Sequence, residues 1–442
     1  GWWSVKALPL LVASICINYW FGLRLSPAPE RDDRKRKSLL VLALVVNLGV
    51  LAVFKYANFF VSNVNEGLAS AGLSQIPLLH IVLPIGISFY TFTQIAFLVD
   101  CWQGKVHERS FIHYVLFVTY FPHLIAGPVL HHAQMMPQFA NPATYRLDHN
   151  KVALGVAIFT FGLAKKLLIA DPMGQYADMM FNGVHKGIEP TLYTAWFGAL
   201  AYTLQIYFDF SGYSDMAVGL SLCLGVQLPL NFRSPYKSTN IIEFWRRWHI
   251  SLSNFLRDYL YVPLGGNRKG PARRYLNLFL TMLLGGLWHG AAWTFVIWGA
   301  AHGAFLVLER LGLDRLVARL PAALQHGYVM LLVMVTWVFF RSDGVGHAFT
   351  HLAAMFGLGA DAPFAPPLQR FLGWDVLLAL AAAALGAGPM AAQLGRRAMD
   401  GLSGAWRSLG SAFELGTLAT LFVLVAMSLA GGAYNPFIYF RF

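Results

Sequence analysis

Between Tyr275 and Leu308 the chain reads YLNLFLTMLLGGLWHGAAWTFVIWGAAHGAFLVL, without a single Asp, Glu, Lys or Arg. A run this long and apolar suits two passes through a hydrocarbon layer about 30 Å thick. Val5–Leu23, Leu39–Phe60, His80–Val99, Val152–Ala170, Tyr328–Phe340, Val376–Met390 and Leu415–Leu429 are similar in character. With stretches near Phe111–Val129 and Leu192–Phe208 they give roughly ten or eleven spans, at about 18 apolar residues each. Only 12% of the 442 residues are charged, against roughly 25% in a soluble domain. The expected fold is all-α: a polytopic transmembrane bundle, with residues 1–442 as a single membrane-embedded domain.

The hydrophilic loops are short, so no soluble domain is expected beside the bundle. The chain opens at Gly1 without a methionine or a basic n-region. A start or a preceding helix is therefore expected upstream, and no cleavable signal peptide is read here. Cys16, Cys101 and Cys223 are scattered and show neither disulfide nor metal spacing.

Charge placement says more than the net +12. The segment Arg24–Lys37 is rich in Arg and Lys and reads as a cytoplasmic loop under the positive-inside rule. A second basic stretch runs from Arg233 to Arg274, with nine Lys and Arg against Glu243 and Asp258. Topology and contact with anionic membrane lipids explain it in one reading. A phosphate-bearing ligand approached from the cytoplasm explains it in another. No nucleic acid is expected as a partner.

That basic stretch holds NFRSPYKSTNIIEFWRRWHISLSNFLRDYLYVPLGGNRKG, Asn231–Gly270. Ser238, Thr239 or Asn240 can cap a helix with Glu243 in its first turn, and Pro263 with Gly265 and Gly266 can end it. At 100° per residue, Ile241, Trp245, Trp248, Leu252, Leu256 and Tyr259 share one stripe. One amphipathic interfacial helix is predicted, with His249 at the edge of its apolar face. A surface anchor carrying a hydrogen-bonded histidine would have the same pattern.

His289 sits inside the uncharged run, in GGLWHGAAW. An ionisable group at bilayer depth is a functional candidate by default, although histidine also joins transmembrane helices by hydrogen bonds. Gly285, Gly286 and Gly290 suggest a break or re-entrant turn with room for backbone or substrate. His302, His123, His131 and His132 read as structural. His347 and His351 have the i, i+4 spacing of a metal pair, but they follow a Gly-rich, loop-like stretch and lack a partnering Glu, so no metal site is expected. A buried imidazole can take a proton from a hydroxyl attacking an acyl thioester, while Trp288 and Trp293 exclude water.

The segments IIEFWRRWHISLSNFLRDYLYVPLGGNRKG and NLFLTMLLGGLWHGAAWTFVIWGAAHG resemble the membrane-bound O-acyltransferases. KYANFF, LPIGISFYTF, FPHLIAGPV and YFDFSGYSDMAVGL add to the likeness in the same order along the chain. The resemblance is to the bacterial branch that includes alginate O-acetyltransferases, with teichoic-acid D-alanyl transferases further off. It implies a central tunnel, His289 as catalytic base, and His249 orienting the donor or stabilising an oxyanion. It also implies acetyl-CoA as donor substrate with no permanently bound cofactor, an extracellular polysaccharide as final acceptor, a separate extracytoplasmic acetyltransferase as partner, and the bacterial inner membrane as location. Trp245, Arg246, Arg247, Tyr259, Trp288, Asp209 and Tyr213 are shell or donor-binding candidates, each with a structural reading beside it.

The chain ends in NPFIYFRF. An aromatic tail can anchor at a membrane interface, and its likeness to C-terminal motifs of the same branch makes Tyr439 a candidate acyl relay. Two alternatives remain at this point. One is an acyltransferase with another donor or acceptor: a teichoic acid, peptidoglycan, a lipid or a protein. The other is a transporter with a broken helix, against which stands the lack of a second Trp-His-Gly segment in the other half of the chain.

Overall fold

The structure, a computed structural model, describes residues 7–28, 32–124, 127–183, 189–359, 373–388, 397, 403, 405–431 and 436–437. The described regular structure is helical throughout, as the hydropathy pattern requires. Among the described residues six helices are long and apolar enough to cross a membrane: Leu8–Leu25, Asp33–Ser70, His149–Gly183, Trp293–Val317, Ala322–Arg341 and Trp406–Ala430. The protein is a multi-pass membrane protein. Other expected spans take different forms. Only Ile87–Trp102 is helical within the stretch that begins at His80. Leu192–Cys223 is long enough to cross, but it carries Thr203, Gln205, Asp209, Ser211 and Ser214 as buried polar groups.

The chain divides into two compact units, residues 1–152 with 221–229 and residues 153–220 with 230–442. The first contains α1 (Leu8–Leu25), α2 (Asp33–Ser70), α3 (Ile87–Trp102), α4 (Phe111–Thr119) and α5 (His132–Ala140). A polar cluster ties α1, α2 and α3 together. Asn18 and Asn47 exchange side-chain hydrogen bonds of 3.0 and 2.6 Å, and Gln94 Oε1 accepts from Asn18 and from Ser14. Such cross-helix bonds substitute for a hydrophobic driving force that lipid does not supply.

The second unit begins with α6 (His149–Ala164), whose first four residues belong to the other unit, and continues through a π-turn at Lys165–Ala170 into α7 (Asp171–Gly183). Next comes α8 (Leu192–Cys223), which packs on α6 where backbones touch. A Cβ on Gly212 would lie 2.6 Å from the Gly162 carbonyl oxygen. After α9 (Ile241–Arg247) and α10 (Ile250–Leu256), the hairpin of α11 (Gly270–His289) and α12 (Trp293–Leu308) occupies the uncharged run. Then follow α13 (Asp314–Val317), α14 (Ala322–Arg341), α15 (Val345–Met355), α16 (Trp374–Gly386) and α17 (Ala405–Ala430). The stretch around His347 and His351 is thus a helix and not a loop, with Gly344 as its N-cap in extended backbone.

Candidate active site

The single amphipathic helix predicted between the Ser238–Asn240 cap and Pro263 is broken in two. Asn240 caps α9, its side chain accepting from the Glu243 backbone N–H at 2.7 Å. After Arg247 the chain turns at His249, which holds φ +44° and ψ 54° in the left-handed region. A residue with a Cβ is uncommon there, and such strain gathers at functional positions. Backbone bonds from Arg233 N to Arg247 O and from Ile250 N to Asn231 O, both 2.9 Å, fasten the turn to the preceding loop. Long-range pairing overrides the helical periodicity.

Those bonds bury His249 completely. Its Nδ1 lies 3.0 Å from Asn231 Oδ1. Its Nε2 is buried with no hydrogen-bond partner among the described residues. The ring packs edge-on to Phe210 at 4.7 Å. His249 lies in the turn between α9 and α10, outside the spanning helices, and burial in these uncharged surroundings pushes its pKa down to about 3, so the ring is neutral at pH 7.

His289 is the last residue of α11 and is 6% exposed. Its ring meets Trp288 at 4.9 Å, Trp298 at 5.2 Å and Phe340 at 5.2 Å. The helix ends on Gly290, and α12 starts three residues later. The expected break is therefore present, but the glycines do not open space for substrate. A Cβ on Gly286 would lie 2.4 Å from the Phe295 carbonyl oxygen, and one on Gly290 would lie 2.1 Å from the Phe295 ring. They let α12 approach α11, which sets the His289 side chain against aromatic walls.

Ring contacts link the two histidines' surroundings. Trp298 stacks on Trp337 at 5.7 Å, and Trp337 meets Trp248 at 5.1 Å, next in sequence to His249. Trp245 belongs to this cluster, 5.8 Å from Trp298, and its indole N–H donates to His302 Nδ1 at 3.3 Å. Trp288 borders His289 directly. Arg247 is held by Glu243 at 2.7 Å, while Arg246 is exposed. Burial raises the Glu243 carboxyl, but bonds from Thr239 and Arg247 outweigh it and hold the group below its ordinary value. Tyr259 packs on Phe255 at 4.9 Å.

Asp209 pairs with Lys166 at 3.0 Å, and Lys166 also binds Asp171. These contacts belong to α6–α8 and not to the aromatic cluster. Tyr213 packs at 4.3 Å, with its ring tilted by 40°, against Phe437, a buried residue of the C-terminal segment that also reaches Phe210. Tyr439 lies outside the described residues. His351 sits on Phe181 at 4.1 Å and its Nε2 meets the Ala195 carbonyl oxygen at 3.0 Å, a packing role.

Two groups at this site carry no motif. Asn231 stands in a loop without periodicity, so nothing in the sequence marks it. Glu309 does leave a signal, as a lone acid closing an apolar span. Its carboxylate accepts from the backbone N–H groups of Ile241 and Ile242 at 2.7 and 2.9 Å, satisfying the α9 N-terminus.

A family comparison matches residues 2–342 to the membrane-bound O-acyltransferases, MBOAT. The chain belongs to that family and is an O-acyltransferase. It is 48% identical to the probable alginate O-acetylase AlgI of Azotobacter vinelandii, over 81% of this chain and 70% of the relative. It is 41% identical to the peptidoglycan O-acetyltransferase of Helicobacter pylori, over 81% of this chain and 72% of the relative. To the teichoic acid D-alanyltransferase of Bacillus subtilis the identity is 28%, over 50% of this chain and 58% of the relative.

Proposed function

We propose that this protein transfers acetyl groups from cytoplasmic acetyl-CoA across the bacterial inner membrane, for O-acetylation of an extracellular polysaccharide. The observation that carries the reading is His289: a buried imidazole ending α11, packed among Trp288, Trp298 and Phe340. The names of the alginate and peptidoglycan relatives support acetyl and polysaccharide over other acyl groups and acceptors.

In this mechanism His289 takes the proton of the acceptor hydroxyl as its oxygen attacks the thioester carbonyl. The C–O bond forms, the C–S bond breaks, and the imidazolium returns the proton to the departing thiolate. Positive charge develops at the carbonyl-rich end of α11, where the helix dipole favours it. The aromatic walls keep out water, the competing nucleophile. Arg246, Arg257, Arg268, Lys269 and Arg273 are exposed and form the basic approach for the phosphates of coenzyme A. A separate extracytoplasmic acetyltransferase would receive the group, with Tyr439 as a candidate relay.

The test is thiol release from acetyl-CoA by purified protein in nanodiscs. His289→Ala should lower turnover by about 10²- to 10⁴-fold, the usual size of a general-base contribution. Unchanged turnover in that variant would remove His289 from the chemistry.

A further inference from the structure

The hydrogen-bond pattern around His249 fixes which of its nitrogens carries the proton. The backbone N–H of Ser251, 3.3 Å from Asn231 Oδ1, can only donate, so the Asn231 atom facing it must be the oxygen. The Ser251 hydroxyl donates to the same oxygen at 2.8 Å. On the other side Asn231 Nδ2 donates to Ser214 Oγ at 3.1 Å. The amide cannot flip without breaking this set. An amide oxygen only accepts, so His249 Nδ1, 3.0 Å away, must carry the hydrogen. In a neutral ring Nε2 is then a bare lone pair. It is buried, with no protein partner among the described residues, and a buried acceptor of this kind is costly to leave unmatched.

We infer that Asn231 is a positioning residue that locks His249 as its Nδ1–H tautomer, so that Nε2 accepts a hydrogen bond from an amide N–H of the bound thioester donor. The role within the reaction rests on the acyl-transfer reading above; the tautomer does not. A neutral imidazole in this state cannot donate to an oxyanion, which leaves orientation of the donor as the work of His249. The pantetheine arm of coenzyme A carries amide N–H groups of the required kind, and a hydroxyl proton is left for His289. The left-handed backbone at His249 follows from the same need: it brings Nδ1 to Asn231, where a continuous helix would carry the ring along the apolar stripe.

Two measurements test this. Solid-state NMR of protein labelled with ¹⁵N-histidine in lipid bilayers, assigned with His249→Gln, reads the tautomer directly. Wild type should show a protonated Nδ1 and an unprotonated Nε2 whose resonance moves when coenzyme A is added. Asn231→Leu should lose that tautomer and Asn231→Asp should keep it. A wild-type Nε2–H signal, or a tautomer indifferent to Asn231→Leu, overturns the lock; the wild-type spectrum decides this even if Asn231→Leu does not fold. In thiol release, Asn231→Leu should raise KM for acetyl-CoA about three- to tenfold, the worth of one hydrogen bond, with kcat little changed and KM restored in Asn231→Asp. A fall in kcat at constant KM would overturn donor orientation in favour of a part in the chemistry. If wild type releases no thiol, the acetyl-CoA reading fails, while the spectra still judge the tautomer.

Discussion

At His302 both ring nitrogens are engaged. Trp245 donates to Nδ1 at 3.3 Å, and Nε2 lies 3.1 Å from Thr336 Oγ1, whose own hydrogen goes to the Val333 carbonyl. An imidazole so occupied has no nitrogen left for chemistry; it ties α9, α12 and α14 together, which agrees with its structural reading in the sequence. Thr336→Val keeps the shape and removes the acceptor, leaving Nε2–H buried and unmet. The expected loss is about 1–3 kcal/mol, read as a lower thermal midpoint in detergent, with His289-dependent turnover retained. His249 differs by having one nitrogen held and the other open. Composition cannot separate these two histidines, because the difference lies in partners 18 and 34 positions away along the chain.

Among the helices, the pairing of α11 and α12 about a Gly-rich turn was legible, although only the α12 half is among the helices apolar enough to cross a membrane, and the work of the glycines was not legible. Gly286 faces Gly299 so closely that a Cβ on either would meet the other's backbone within about 3 Å. Small residues at helix crossings are the rule in membranes, where close approach replaces hydrophobic gain. Gly286→Val should therefore destabilise by at least the 1–3 kcal/mol of an overpacked core, seen as loss of folded protein on thermal challenge. Gly327→Ala, in α14 with nothing within 4 Å of the added carbon, is the control and should be neutral or slightly stabilising. The single helix predicted between the Ser238–Asn240 cap and Pro263 failed for the opposite reason. Its 3.6-residue period was real, yet pairing of the Asn231–Arg233 loop with Arg247–Ile250 outweighed the helix bonds lost at His249.

Across the whole molecule, apolar content and charge placement settle what the chain can be. The exposed basic residues after α10 set an electrostatic prediction. Replacing Arg268, Lys269 and Arg273 together with Gln should raise KM for acetyl-CoA and weaken its dependence on salt, with kcat unaltered, because exposed charges act through a screened field. An unchanged KM and salt response would assign those residues to topology and lipid contact alone. The helical membrane class and the family likeness can be read from the chain alone, as can the motifs that draw attention to His249 and His289, since hydropathy, spacing and motif are local properties. Packing settles the rest: where the predicted helix breaks, that the glycines admit a neighbouring helix and not a substrate, and that Asn231 holds His249 while Trp245 and Thr336 occupy His302. These are matters of which distant groups reach one ring or one backbone atom, and such contacts exist only once the chain has packed.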